Sequence, residues 1–202
     1  MKAYYNGQTV SIKLNGCRAM VNGENETPEE PDVPVTPEQP ETLSAGLYDV
    51  NDNLIASWDT LVNDYGLRLQ NSSSFLAFNN DASTLYYVLT NYNITNATKF
   101  IIGDSITTIG SCTIYNCDTL VSIIVPSTIN LLRDYVFGSC NNLKRIDFST
   151  HTSIPTIGKM ILNTTHSNLQ IKVPANLIDS WKNATNWSEY ADKIVTEFTN
   201  EV

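Results

Sequence analysis

The sequence predicts a mainly β protein in which a short array of repeats stacks into a solenoid. Apolar residues keep their register through two successive shifts within residues 99–174, and each repeat contains a short stretch with alternate apolar positions. Asn, Ser and Thr make up 62 of the 202 residues and charged residues only 16%, which is typical of a polar, uncharged β-rich surface. The hydrophobic fraction of 42% is sufficient for a folded core.

The repeat is defined by a shift of 23 residues. It aligns residues 102–109 with residues 125–132 and carries Cys117 onto Cys140, and a third copy follows with two or three extra residues. One unit exposes its core to both neighbours, so stacking stabilises the array and its ends need caps. The residues predicted to face the core are Phe100, Ile102, Ile123, Val125, Ile146, Phe148, Ile171 and Val173 in the strands, with Ile109, Leu132 and Ile157, then Ile114, Phe137 and Leu162, in the return segments.

Both flanks of the array are predicted to cap it. Residues 43–98 form a predicted N-terminal β cap, with a strand-like run at residues 85–89 and a short helix around residues 56–63. Residues 175–202 form a predicted C-terminal helical cap that begins after Pro174. The apolar residues that recur there at helical spacing are Leu177, Ile178 and Trp181, then Trp187, Ala191 and Ile194.

The repeat pattern also resembles a known family. Ile-Gly-Asp-Ser-Ile-Thr-Thr-Ile-Gly at residues 102–110 and Phe-Gly-Ser-Cys-Asn-Asn-Leu at residues 137–143 resemble the units of BspA-like leucine-rich repeats. Residues 99–174 match that pattern, and the flanks resemble sequences that border such arrays in gut bacteria and their phages. Ile114 and Leu162 replace the usual Phe, and the third copy lacks its cysteine. The resemblance implies surface-displayed adhesion, not catalysis.

An acidic, proline-rich segment at residues 24–42 is predicted to be a stalk. It holds seven acidic residues and no basic residue, and its prolines recur every third position, which suits the three-residue turn of a polyproline II helix. At about 3.1 Å per residue the segment reaches roughly 60 Å. The alternative is a ligand for a proline-recognising groove. The prolines are Pro28, Pro31, Pro34, Pro37 and Pro40.

Residues 1–23 are predicted to form a small β meander that serves as an anchor. Three Asn-Gly pairs indicate tight turns, and alternation places Val10, Ile12 and Leu14 on one face. So small a sheet cannot bury that face alone, so it either completes its core on a partner or is a frayed hairpin. Polar residues run throughout this segment, so we do not expect it to act as a signal peptide.

The sequence offers little for catalysis, cofactors or metals. The two histidines, His151 and His166, lie in Thr-rich segments and are expected to be exposed loop residues; no common catalytic motif or C-x-x-C zinc spacing is present. We therefore expect no enzymatic activity, no cofactor and no metal site. Stacked about 4.8 Å apart, Cys117 and Cys140 could form either a disulfide or a ladder of buried thiols.

Two rows of outward-facing residues form the predicted binding face. The first row is Lys99, Ser122, Arg145 and Gln170; the second is Ile101, Ile124, Asp147 and Lys172. Ile101 and Ile124 are expected to present apolar surface to solvent beside charged groups, which suits a glycan or protein ligand. The alternative is an ordinary solvated sheet face. The candidate binding residues are Ile101, Ser122, Ile124, Arg145, Asp147, Gln170 and Lys172, with Tyr86, Tyr87 and Tyr92 as further exposed candidates.

These features predict a non-enzymatic phage virion appendage, a fibre or decoration protein. Residues 1–23 would bind a virion structural protein, and the repeat face would bind a host-surface glycan or protein. We expect no nucleic acid partner, because the pI is about 4.5, and no membrane span, because no apolar run approaches ~18 residues. A homo-oligomer is an open possibility. The alternative is a bacterial cell-surface adhesin, and a glycan-active enzyme is a more distant one.

Overall fold

A computed structural model of the chain describes residues 2–5, 8–11, 42–65, 67–70, 75–78 and 85–199. The chain divides into two compact units, residues 1–41 and residues 42–202. Its architecture is mainly β with parallel sheets and few helices, as the sequence predicts. The predicted stalk, apart from Thr42, lies outside the described residues.

The first unit contains an antiparallel pair of strands, β1 (Lys2–Tyr5) and β2 (Gln8–Ser11). Their register runs from Lys2 opposite Ser11 to Tyr5 opposite Gln8, which leaves two residues between the strands. A two-residue connection with the sequence Asn-Gly favours this kind of hairpin. Of the three predicted anchor residues, Val10 lies in β2, whereas Ile12 and Leu14 lie outside the described residues.

The second unit begins with strands and helices that precede the repeats. These elements are β3 (Gly46–Tyr48), β4 (Leu54–Ser57), α1 (Trp58–Asn63), β5 (Leu67–Gln70), β6 (Phe75–Phe78) and α2 (Leu85–Asn91). The repeats then alternate between two kinds of short strand and are followed by one helix and a last strand. These elements are β7 (Lys99–Ile101), β8 (Thr108–Ile109), β9 (Ser122–Ile124), β10 (Leu131–Leu132), β11 (Arg145–Asp147), β12 (Thr156–Ile157), β13 (Gln170–Lys172), α3 (Ile178–Asn183) and β14 (Ile194–Val195).

The larger sheet, called the front sheet, has the strand order β14-β13-β11-β9-β7-β3-β4. Strands β7, β9, β11, β13 and β14 pair in parallel, each with the equivalent strand of the next segment, and β3 joins β7 antiparallel. Residue 100 lies opposite residue 123, which lies opposite residue 146 and then residue 171. The pairing therefore follows the register that the repeat spacing gives.

The second sheet, called the back sheet, has the order β12-β10-β8-β6-β5. Strands β8, β10 and β12 pair in parallel, with Ile109 opposite Leu132 and Leu132 opposite Ile157. Each repeat thus contributes one strand to each sheet. Strand β6 extends the back sheet in parallel, and β5 pairs antiparallel with β6.

The core of this unit consists of the rows of apolar residues predicted from the repeat. Ile123, Ile146 and Ile171 of the front sheet are buried, as are Ile109 and Leu132 of the back sheet. Burying a side chain of this size stabilises the fold by about 1.5–3 kcal/mol relative to leaving it exposed. Because the rows run through consecutive repeats, the core is continuous along them.

The segments that return from the back sheet to the front sheet bend at a recurrent left-handed corner. Cys112, Tyr135 and Met160 occupy equivalent positions and have φ values of 55°, 58° and 53°. This conformation costs a non-glycine residue roughly 1–2 kcal/mol. Hydrogen bonds between neighbouring repeats compensate, since the N–H of Cys112 donates to the carbonyl of Asp134 at 3.1 Å and the N–H of Tyr135 to that of Lys159 at 3.1 Å.

The N-terminal flank confirms one predicted element and corrects another. Helix α1 ends at Asn63 as predicted but begins at Trp58, two residues later than predicted, and the Ser57 hydroxyl accepts a hydrogen bond from the N–H of Thr60 at its start. Residues 85–89, predicted as strand-like, belong instead to helix α2. Leu85, Val88 and Leu89 are its buried residues, a spacing that places them on one helical face.

The C-terminal flank is less helical than the sequence predicts. A 3-10 helix (Ala175–Leu177) leads into α3, and a second 3-10 helix (Trp187–Tyr190) follows Asn186, whose φ of 66° is incompatible with a continuous helix. Ile194, predicted as a helical position, lies in β14 and extends the front sheet. Strand β14 forms at this point because it supplies hydrogen-bond partners for the backbone groups along the open edge of β13.

Candidate functional site

The outward residues of the front sheet form two rows across four successive strands. Lys99 lies opposite Ser122, which lies opposite Arg145 and then Gln170. The second row runs through Ile101, Ile124, Asp147 and Lys172. The structure thus brings all seven residues that the sequence singled out for binding onto one face.

Exposure along the two rows differs from the expectation at one position. Ile101 is only 8% exposed, so it does not present apolar surface to solvent, contrary to the prediction. Ile124, next to it in the row, is half-buried. The expectation was wrong because alternation assigns a residue to a face but does not reveal what covers that face.

The face is more basic than the chain as a whole. Lys99, Arg145 and Lys172 lie in the rows, whereas Asp147 is their only acidic member. The Asp147 carboxylate accepts a hydrogen bond from the N–H of Ser149 at 2.7 Å, and Lys99 forms an ion pair with Asp52. A chain of formal charge −9 therefore concentrates positive charge on this sheet face.

Residues 196–199, which follow β14, lie across one end of the face and are called the covering segment. The Phe198 ring centroid lies 5.3 Å from Cζ of Arg145 and 5.9 Å from Nζ of Lys172, which are cation–π distances. Glu197 forms an ion pair with Lys172, with 2.9 Å between Oε2 and Nζ. The covering segment therefore contacts the two basic residues at this end of the rows.

Hydrogen bonds to Gln170 hold the covering segment in place. The Gln170 side-chain amide donates to the hydroxyl of Thr199 at 2.8 Å, and its carbonyl oxygen accepts from the N–H of Thr199 at 3.0 Å. Nη2 of Arg145 donates a longer bond, 3.4 Å, to the Thr199 carbonyl. Three of the seven predicted binding residues are thus engaged by the chain itself.

A depression of about 130 Å³ remains beside Phe198 on the same face. It is lined by Lys99, Ser122, Ile123, Ile124, Arg145, Asp147 and Phe198. Nε of Arg145, which is inaccessible to solvent, has no hydrogen-bond partner among the residues that the structure describes. Within the described ranges, the Arg145 guanidinium forms no ion pair with a carboxylate. The depression therefore contains an arginine whose capacity to bind an anion is only partly used.

A second depression, about 220 Å³, lies between α2 and the corner of the first repeat. Tyr86 lines it, and Tyr86, Tyr87 and Tyr92 are all exposed, as the sequence suggested. Tyr92 stacks on Tyr65 with a centroid separation of 3.9 Å and donates a hydrogen bond to the Asp64 carbonyl, so it fixes α2 against α1. Tyr86 lines the depression and packs edge-on against Tyr87, at a centroid distance of 5.7 Å.

The two histidines do not both occupy exposed loops. His151 is 3% exposed and packs edge-on against Phe148 and Trp181, at centroid distances of 5.1 Å and 6.2 Å. Burial lowers the pKa of His151, and neither ring nitrogen has a hydrogen-bond partner. His166 is half-buried in a polar turn, where its Nδ1 accepts a bond from the N–H of Asn168. Neither arrangement pairs a histidine with a nucleophile.

The repeat cysteines form a ladder of thiols. Cys117 and Cys140 are buried and free, and Sγ of Cys140 donates to the Ile114 carbonyl at 3.1 Å. Burial raises the pKa of the Cys117 thiol, so it stays protonated and inert. Across the part of the chain that the structure describes, no group of three His, Cys, Asp or Glu residues is placed to hold a metal ion. No helix in that part is long and apolar enough to cross a membrane.

The covering segment is the part of the site that the repeat pattern misses. Its contacts come from Glu197, Phe198 and Thr199, which lie beyond the last repeat and have no counterpart in the preceding units. The available signal is local: an acidic and an aromatic residue follow directly after the last strand. Periodicity cannot show that such a segment turns back onto the sheet.

Comparison with protein families identifies the repeats. The family model described as BspA type leucine rich repeat region (6 copies) matches residues 89–189. That match spans the strands from β7 to β13 in both sheets, together with the end of α2 and the whole of α3. No curated protein matches the chain.

Proposed function

Since the chain belongs to the BspA type leucine-rich repeat family, we propose that it is a surface adhesion protein that binds its ligand with the outward face of the front sheet. Repeats of this family are typical of surface and extracellular proteins and act as non-enzymatic binding domains. The chain is thus a repeat protein of the surface, adhesion type. Its ligand and the surface that carries it are the further parts of the proposal.

The order of the strands supports a solenoid in which the flanks serve as caps. Each repeat adds one strand to the front sheet and one to the back sheet, and the core runs from one repeat to the next. At one end β3 pairs antiparallel with β7, and β4 pairs antiparallel with β3; at the other end α3 and β14 follow β13. We propose that residues 43–98 and 175–202 are these caps.

One observation carries the binding proposal: outward side chains of four consecutive front-sheet strands form two unbroken rows, and all of them except Ile101 are partly accessible to solvent. The rows combine basic groups, a half-buried isoleucine and a depression in which Arg145 has an unpartnered donor. Such a mixture of apolar and charged surface is typical of a binding site. On an ordinary solvated face, water would bind Nε of Arg145, whereas here this atom is buried and has no partner among the described residues.

Binding to an array of purified extracellular proteins and glycans tests this proposal. The full chain is compared with an Arg145→Gln/Lys172→Gln variant and with a Lys159→Gln/Lys182→Gln control, which removes the same charge away from the rows. We expect the first variant to lose the array signal by about tenfold, as for a truncated hot spot, and the control to keep it. Equal signals from all three proteins would contradict the assignment of the face.

The surface that carries the protein needs a separate test. A bacterial cell surface is compatible with the family match, whereas a virion surface rests on the predicted anchor and stalk at residues 1–42 and on the resemblance of the flanks, and has no support from that match. The source culture is separated into washed cells, cell envelope and particles banded on a density gradient, and the chain is quantified in each fraction. We expect to find the chain in the cell envelope fraction and to see it cleaved when protease is added to intact cells. Recovery of the chain in the particle band would instead favour the virion.

A further inference from the structure

The covering segment occupies the binding face in the manner of a bound peptide. It brings Glu197, Phe198 and Thr199 against Lys172, Arg145 and Gln170, and the contacts are an ion pair, two cation–π contacts and hydrogen bonds. These are the kinds of contact by which one protein recognises a short segment of another. The segment therefore shows which chemistry the face accepts.

The contacts that hold the covering segment are individually weak. The Glu197 side chain is 81% exposed, and an ion pair in such a position contributes little and is screened by salt. The Arg145 hydrogen bond to Thr199 is long, at 3.4 Å. A partner segment with the same chemistry can therefore compete for the face.

Arg145 indicates what a better ligand would add. Among the described residues its buried Nε has no hydrogen-bond partner and its guanidinium pairs with no carboxylate, because Glu197 pairs with Lys172 instead. Arginine binds carboxylates through two parallel hydrogen bonds, one of which uses Nε in the side-on arrangement. A ligand that places a carboxylate beside Arg145 and an aromatic ring over it satisfies more of the face than residues 196–199 do.

We propose that the outward face of the front sheet binds a peptide segment of a partner protein in which an aromatic residue adjoins a carboxylate, and that residues 196–199 are an intramolecular competitor for that site. The proposal rests on the proposed function and names its ligand class. An acidic glycan supplies a carboxylate but has no aromatic ring to lie against Arg145 and Lys172. The peptide therefore accounts for more of the contacts than the glycan does.

The probe is a fluorescein-labelled peptide with the sequence of residues 195–202, Val-Thr-Glu-Phe-Thr-Asn-Glu-Val. Fluorescence anisotropy measures the binding of this peptide to the unmodified full chain and to a Glu197→Gln/Phe198→Ala double variant. These substitutions remove the contacts that hold the covering segment on the face, and the double variant is called the opened variant. Apparent affinity scales with the fraction of open face, so we expect the double variant to bind about tenfold more tightly. Glu189→Gln, an exposed charge outside the rows, is the matched control and is expected to bind like the unmodified chain.

Two further comparisons separate recognition from charge attraction. The same peptide with alanine in place of phenylalanine, and a peptide with the sequence of residues 24–42, which is acidic but has no aromatic residue, are both expected to bind at least about tenfold more weakly. Adding Arg145→Gln to the opened variant is expected to abolish the gain. Phe198→Leu, which keeps an apolar side chain, replaces Phe198→Ala if the latter fails to fold.

The proposal is overturned if the opened variant binds the peptide no better than the unmodified chain, or if the alanine peptide binds equally well. The array used for the proposed function distinguishes the two failures. If the opened variant ignores the peptide but binds an array ligand through Arg145 and Lys172, the adhesion function stands and the ligand class is wrong. If both signals are absent, neither assignment holds.

Discussion

The inward and outward rows of the front sheet come from the same short strands but obey different rules. Ile123 and Ile124 are neighbours in β9 and the same kind of residue, yet Ile123 is fully buried and Ile124 is half-buried beside Phe198. The inward row is apolar in every repeat, while the outward rows change from Lys99 to Ser122 to Arg145. One backbone register therefore places an inward row that is apolar in every unit beside outward rows whose residue types change from unit to unit. Periodicity predicts the residue types of the inward row but not those of the outward rows.

The largest effect expected from this comparison is on stability. Ile123→Ala removes a fully buried side chain and leaves a cavity between repeats, so we expect the free energy of unfolding to fall by about 2–5 kcal/mol. Ile124→Ala removes the same atoms from the outward row and should cost about 1 kcal/mol or less. Urea denaturation of the two variants measures both values. Equal losses would contradict the division between the rows.

A smaller effect is expected from His151, a polar group on the inward side. Its pKa is lowered by burial, so below pH 6.5 the unfolded chain takes up a proton that the folded chain does not. The free energy of unfolding should fall as the pH drops below that value, by up to about 1.4 kcal/mol per pH unit for one proton.

Substitution tests the origin of this dependence. Measured by denaturation at a series of pH values, His151→Leu should lose the contribution of this group and keep its stability at neutral pH, because both nitrogens of the replaced ring lack partners. His166→Leu, in the polar turn, is the matched control and should retain the slope assigned to His151. An unchanged slope in His151→Leu would show that burial of this ring does not control the dependence.

The smallest effect is expected in the outward rows. Lys172→Ala removes the ion pair with Glu197 and one cation–π contact, and Lys99→Ala removes the pair with Asp52 at the other end of the face. Each should lower the free energy of unfolding by less than about 1 kcal/mol and by less still at high salt. Denaturation at low and high salt checks this. A loss as large as that of Ile123→Ala would place these lysines among the residues that hold the fold together.

Much of the fold could be predicted because the repeat fixes it several times over. The shift that carries Cys117 onto Cys140 also gives the strand register and the buried rows, whereas it left open whether the stacked cysteines are bridged or free, and the structure shows them free. The flanks have no repeat to confirm them. Residues 85–89 have the tyrosine and valine content of a strand, but the spacing of Leu85, Val88 and Leu89 fits a helix, and packing on the first repeat selects that helix.

The candidate site could be predicted only in part. Opposite pairing placed Arg145 and Lys172 on one face correctly, since it depends on register alone. The contacts of Phe198 depend on a segment that folds back from outside the repeats, and no local pattern encodes that return. The burial of Ile101 is likewise not given by its place in the row. His151 was misplaced for the same reason, because Trp181, which covers it, lies 30 positions further along the chain.

The parallel register of β7, β9, β11 and β13 also makes the length of the recognition surface adjustable. Each duplicated or deleted unit would lengthen or shorten both outward rows by one strand spacing, about 4.8 Å, while leaving every other pairing unchanged. The ion pair, hydrogen bonds and cation–π contacts of residues 196–199 are made with Arg145 of β11 and with Gln170 and Lys172 of β13, so a unit gained or lost before β11 leaves these contacts intact. Unequal recombination between repeats can therefore change the length of the recognition surface to fit partners of different length, while the covering segment keeps its contacts.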